Sequence, residues 1–112
     1  MTNARWQEAD FPGSQFKNVN LTDSSLTGCS FAHADLSGIN AQHADFSKSD
    51  FSFARMKEIN LFKGSLRKAK LEQTDFTGAN LYGVDFFRAG IRDANFEKAN
   101  LDNTLLAQWR PA

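Results

Sequence analysis

"ANLYGVDFFRAGIRDANFEKANL", residues 79–101, sets a large apolar residue at every fifth place: Leu81, Phe86, Ile91, Phe96 and Leu101. A helix with one buried face spaces its apolar residues by three and four, and a half-buried strand by two. Five fits neither. The period runs back through Phe76, Leu71, Leu66, Leu61, Met56, Phe51, Phe46, Ala41, Leu36, Phe31, Leu26, Leu21 and Phe16 to Phe11, and forward to Leu106, with Trp6 also in register. Nineteen of the twenty positions from Phe11 to Leu106 are large and apolar, and Ala41 is the one lapse. No insertion breaks the count. An internal repeat of this kind has to be settled before any helix or strand is assigned.

A second register lies two residues before the first: Ala9, Ser14, Val19, Ser24, Cys29, Ala34, Ile39, Ala44 and onward to Thr104. Its members are mostly small and none is charged. The other three positions of each five hold nearly all the Asp, Asn, Lys, Arg and Glu. Each unit therefore has two apolar or small positions and three mostly polar ones.

The stretches "ADFSKSDFSF", "TDFTGANLYG" and "ANFEKANLDN" resemble the A(D/N)LXX motif of the pentapeptide-repeat proteins. The resemblance covers residues 4–108, read as a single domain with short caps at both ends. It implies an all-β fold, a right-handed quadrilateral β-helix of about five coils, in which four pentapeptides form the four sides of each coil. The central apolar residue and the small one before it would point inward. Elementary physics agrees: two inward positions in five suffice to fill a narrow core. The small residue is required because the large one takes most of the interior at near-crystalline density. A single coil cannot bury its own core, so stability would come from stacking neighbours.

Composition bounds the rest. At 112 residues, one domain with a real core is expected. Thirteen basic residues balance thirteen acidic ones, so bulk charge makes no case for nucleic acid. The single cysteine, Cys29, falls at an inward small-residue position and fits a reducing compartment. The N-terminal "MTNARWQEAD" lacks the apolar run of a signal peptide, and no stretch reads as a membrane span. A cytoplasmic location and no membrane partner are expected. Open β-edges template aggregation, so the ends need covers. Trp6 is the candidate at one end; Trp109 and Pro111, with Leu105 and Ala107, are the candidates at the other.

Catalytic signals are absent from the chain: there is no glycine-rich phosphate loop, HExxH, nucleophile elbow or CxxC. His33 and His43 are ten residues apart, two sides of a four-sided coil, and so belong on opposite faces. One cysteine and two separated histidines make no zinc site. Asp35, Asp45, Asp50, Asp75 and Asp85 each precede a central residue, where Asx side chains bond turn backbone rather than move protons. No catalytic residue, metal or cofactor is expected, and the protein is read as a non-enzyme.

Function is therefore assigned to the outer surface, where residues twenty apart should stack. Asn20, Asn40, Asn60, Asn80 and Asn100 form a structural ladder. Three of the eleven phenylalanines leave the central register, namely Phe53, Phe62 and Phe87, and Tyr82 is a fourth outward aromatic. Phe62 and Tyr82 should share one face. The adjoining face carries Phe87 with Lys48, Lys68 and Arg88 at equivalent positions of three coils, Arg67 alongside and Lys63 around the corner. Exposed aromatics mixed with arginine have the composition of a binding hot spot.

The expected function is a rigid protein-binding module, of the inhibitor or immunity kind, that neutralises a bacterial toxin or effector. The alternatives are a DNA mimic on a type II topoisomerase and an adaptor in a secretion system. Topoisomerase-protecting members of the family resemble this chain in their coils but carry a strongly acidic surface and dimerise through a C-terminal extension. Here the best-defined column is basic and few residues follow Leu106, so a monomer or heterocomplex is expected over a homodimer. A nucleic-acid role for Lys48, Lys63, Lys68, Arg67 and Arg88 with Phe62 and Tyr82 is the weakest reading, because the patch is small.

Overall fold

In the structure, a computed structural model that describes residues 10–11, 13–16 and 19–108, every fifth residue from Asp10 to Asn80 bridges in parallel to the residue twenty further on. Twenty residues thus complete one coil of four sides, and the described chain winds through nearly five coils. Trp6, Trp109 and Pro111, the expected end covers, lie outside the described residues.

One repeat, residues 51–55, shows why the sequence folds this way. The Phe51 N–H donates to the Lys70 carbonyl at 2.8 Å and the Phe53 N–H to Glu72 at 2.9 Å, both in the next coil. The Arg55 N–H donates to Ala34 in the preceding coil at 2.9 Å. The Ala54 N–H closes a turn on the Phe51 carbonyl at 2.9 Å. That leaves the Ser52 N–H, and the Asp50 carboxylate accepts it at 2.9 Å. All five backbone donors of the repeat are matched, which buried or half-buried amides require. Where an Asp or Asn precedes the central residue, as at Asn20, Asn40, Asp50, Asn60 and Asn80, it is thus an Asx cap on the turn. Asp35, Asp45, Asp75 and Asp85 each accept the N–H two residues on in the same way.

The third residue of each turn takes a left-handed φ, from 54° at Lys63 and Gln73 to 72° at Gly38. A turn of this handedness favours glycine there, yet thirteen non-glycine residues occupy it, and Phe53 is the one apolar member. These turns are the corners of the coil. Residues 22–23, 42–43, 62–63, 82–83 and 102–103 stack as the first corner, and 27–28, 47–48, 67–68 and 87–88 as the second. Residues 32–33, 52–53, 72–73 and 92–93 form the third, and 37–38, 57–58, 77–78 and 97–98 the fourth.

Both inward registers are buried through the middle coils, while Phe11, Val19, Ala89, Ile91, Ala99 and Leu106 are partly buried. Phe31 and Phe51 stack at 5.0 Å, Phe76 and Phe96 at 5.2 Å, and Phe46 meets Phe51 edge-on at 5.1 Å. The lapse at Ala41 falls in the coil that also encloses Phe31 and Phe46, where two rings already take up the interior. At one position of the second register the need for a small residue is direct. A Cβ on Gly64 would come within 2.6 Å of Leu61 Cδ1 and 2.8 Å of the Ala44 carbonyl oxygen. Three hydroxyl residues are buried in this register, Ser24, Ser49 and Thr74. Ser49 and Thr74 donate to the Leu26 and Phe51 carbonyls at 2.8 and 2.7 Å. Cys29 is buried in the same register, its Sγ 4.0 Å from the Thr27 carbonyl oxygen.

One expectation fails at the C-terminal end. Leu105 was assigned as apolar cover but is 73% exposed, and Ala107 is also exposed. Leu105 occupies the position just before a central residue, which faces outward in every coil, while Leu106 packs partly against the core.

Candidate protein-binding edge

The first corner carries a short aromatic stack. Phe62 and Tyr82 lie face to face at 5.3 Å with 13° between their planes, and His43 meets Phe62 edge-on at 5.9 Å. Stacking leaves Phe62 and Tyr82 half-buried rather than fully outward. The Lys63 ammonium sits 5.4 Å from the Phe62 ring centre, a cation–π distance. Asn103 Nδ2 donates to the Tyr82 hydroxyl at 2.6 Å. Beneath the stack, Asn80 Nδ2 donates to Asn60 Oδ1 at 3.3 Å, a rung of the expected asparagine ladder.

On the second corner, Phe87 is 40% exposed and clamped by two guanidinium groups, Arg67 at 4.7 Å and Arg88 at 5.4 Å from its ring. Arg67 is held in place by Asp85 at 3.0 Å, and Asp85 also accepts the Phe87 N–H at 3.0 Å. One carboxylate therefore fixes both the ring's backbone and the cation stacked on it. Lys48 and Lys68 take the left-handed position in the two coils below Arg88. With Arg67, Thr27, Gly28 and Ser47, they line an open groove of about 630 Å³.

The structure brings Phe62, Lys63 and Tyr82 together on one corner and Lys48, Arg67, Lys68, Phe87 and Arg88 on the next. Phe53 stands apart from both. It belongs to the third corner, where it is 46% exposed and stacks on His33 at 5.1 Å with 4° between planes. The two histidines thus serve different aromatic rings on opposite corners. Sequence reasoning missed His43 as a neighbour of Phe62 and missed Thr27, Gly28 and Ser47 as groove residues. The available signal was corner position, since all four fall one or two places after a central residue.

One carboxylate near the third corner is electrostatically tuned. Burial pushes the Asp50 pKa up, but hydrogen bonds from the Ser52 side chain and backbone and attraction to Lys70 and His33 outweigh it. The net direction is down from the ordinary carboxylate value.

Comparison with known sequences agrees with this geometry. The profile described as "Pentapeptide repeat region" matches residues 24–106, and "Pentapeptide repeats (8 copies)" matches residues 1–31. The chain is a pentapeptide-repeat protein. A search of curated proteins returns no match to it. Among solved structures, this pentapeptide-repeat protein is similar to HetL of the cyanobacterium Nostoc sp. strain PCC 7120, described as involved in heterocyst differentiation regulation. The TM-score is 0.89 at 21% identity, covering 90% of this chain and 43% of HetL, so the chain spans less than half of HetL's length. Rfr23 from Cyanothece 51142 matches with a TM-score of 0.49 at 19% identity, over 92% of this chain and 88% of that one. A trypsin-treated form of QnrB1, a plasmid-mediated fluoroquinolone resistance protein, matches with a TM-score of 0.49 at 21% identity, over 93% and 68%. The likeness to HetL establishes a shared coil architecture.

Proposed function

We propose that this pentapeptide-repeat protein is a rigid, non-catalytic binding module that grips a partner protein along the edge made by its first and second corners. The role envisaged is that of an inhibitor or immunity protein acting on a toxin or effector. A sequence with one cysteine fits a reducing compartment, and the cytoplasm is the proposed place of action.

The observation that carries this reading is the setting of Phe87. A large apolar ring left 40% exposed gains little for the fold, yet Asp85, Arg67 and Arg88 hold it in a defined pose. Preorganised aromatic and arginine side chains are the usual anchors of protein interfaces. The backbone is tied coil to coil, so docking would order little of it, which favours tight inhibition. The same cations count against topoisomerase binding by DNA mimicry, which relies on a negative surface.

Photo-crosslinking in the native cell tests the assignment. A photoreactive amino acid at Tyr82 or Lys68 should join the protein to one discrete partner, while the same group at Glu97 on the fourth corner should not. Once that partner is purified, Tyr82→Ala or Phe87→Ala should weaken it by about 2 kcal/mol in titration calorimetry. Crosslinks from Glu97 with none from Tyr82 or Lys68 would place the interface elsewhere.

A further inference from the structure

The second corner differs from the other three in its charge. Its left-handed positions run Gly28, Lys48, Lys68 and Arg88, three cations in three successive coils. The first corner has Asp23, His43, Lys63, Gly83 and Asn103 at the same position. The third has Gly13, His33, Phe53, Gln73 and Asp93, and the fourth has Gly38, Glu58, Gly78 and Lys98. Stacked coils lie about 4.8 Å apart, so like charges in adjacent coils repel and weaken the stack. Lys48 and Lys68 form no ion pair among the described residues, while Asp85 is occupied by Arg67. Between Lys48 and Lys68 that repulsion has no ion pair to offset it.

Shape points the same way. The groove between these cations runs over the smallest residues of the corner, Thr27, Gly28 and Ser47. The Ser47 hydroxyl is already engaged with Asp45 and Ser65, so the floor is polar but largely committed, and the free charge is on the walls. At its upper end the column meets the exposed Phe87 ring. A site with cationic walls and an aromatic end suits a ligand that combines carboxylates with an apolar group.

We infer that the groove of Lys48, Arg67 and Lys68 seats an acidic peptide segment of the partner, with the segment's carboxylates between the two lysines and a neighbouring apolar side chain against Phe87. The inference rests on the binding-edge reading and adds the chemistry of what binds. A nucleic-acid backbone fits less well. It needs a longer run of cations than the three this corner aligns.

The test uses the isotopically labelled full chain and a dodecapeptide of alternating aspartates around one central phenylalanine, at physiological salt. Amide resonances of Gly28, Ser47, Lys48, Lys68 and Arg88 should shift on titration, and those of Phe53 and Glu97 should not. The asparagine version of the peptide should bind about tenfold more weakly or worse, and Lys48→Glu with Lys68→Glu should have a similar effect. Both lysines are exposed, so these variants should fold; Lys68→Ala alone should give a smaller loss in the same direction. Tighter binding of a thymidine dodecamer or of inorganic phosphate than of the peptide would overturn the inference. Shifts confined to Phe62, Tyr82 and Phe87 that survive the double charge reversal would sink the acidic seat and leave the binding edge standing. Silence along the whole edge would remove both.

Discussion

The second and fourth corners are built on the same backbone and dressed differently. Both use the same turn, closed for instance by the Ala69 N–H on Leu66 at 3.1 Å and by the Ala79 N–H on Phe76 at 2.9 Å. Both cap it with an aspartate, Asp85 in one and Asp75 in the other. Yet the fourth corner mixes signs, with Lys57, Glu58, Glu97 and Lys98, while the second stacks Lys48, Lys68 and Arg88 around an exposed phenylalanine. Hydrogen bonds and core set the coil, and neither depends on what the two corner residues carry. The composition of a corner is therefore free to answer to something other than folding.

The largest effect should be blind to the corner. Phe46→Ala, inside the second corner, and Phe76→Ala, inside the fourth, each empty a fully buried site. Each should cost about 3–5 kcal/mol in urea melts. Outward Phe87→Ala and Glu97→Ala should stay within about 0.5 kcal/mol of wild type. A loss at Phe87 as large as that at Phe46 would mean that the exposed ring is part of the fold, and the contrast between corners would collapse.

The turn caps come next. Asp75→Ala strands the Thr77 N–H, and Asp85→Ala strands that of Phe87. Each should cost about 1 kcal/mol, with Asn substitutions close to neutral. Asp50 gives the same chemistry a pH signature. Its folded pKa is depressed, so its contribution is present above the unfolded carboxylate value, roughly 3.9, and is lost as pH falls through the folded value. Acid melts of Asp50→Asn should therefore show a shallower fall in stability below about pH 4 than wild type. Identical acid slopes would remove Asp50 from the account.

The smallest effect is the one that separates the corners. Lys68→Ala removes the middle of a like-charge column and should raise stability by a few tenths of a kcal/mol, roughly, at low salt. Lys98→Ala, beside Glu97, should give no change or a slight loss. High salt should erase the difference. If Lys68→Ala proves destabilising, the cations support the coil after all.

The sequence by itself determined the period, the two inward registers, the four-sided coil that the repeat resembles, and the capping role of the aspartates. The reason is that burial prints itself residue by residue. An inward site must be apolar or small, as Phe51, fully buried, and Phe53, 46% exposed and two residues on, show side by side. Register at twenty then placed Phe62 with Tyr82 and Lys48 with Lys68 and Arg88. What the tertiary structure decided is how the outward side chains settle against neighbours one coil away. The clamp of Arg67 and Arg88 on Phe87, the shielding of Phe62 and Tyr82 by their own stack, the withdrawal of Phe53 to His33, and the groove over Gly28 and Ser47 all depend on side-chain reach across a corner. Outward positions carry no burial constraint, so composition there leaves open which neighbour a ring or a cation will choose.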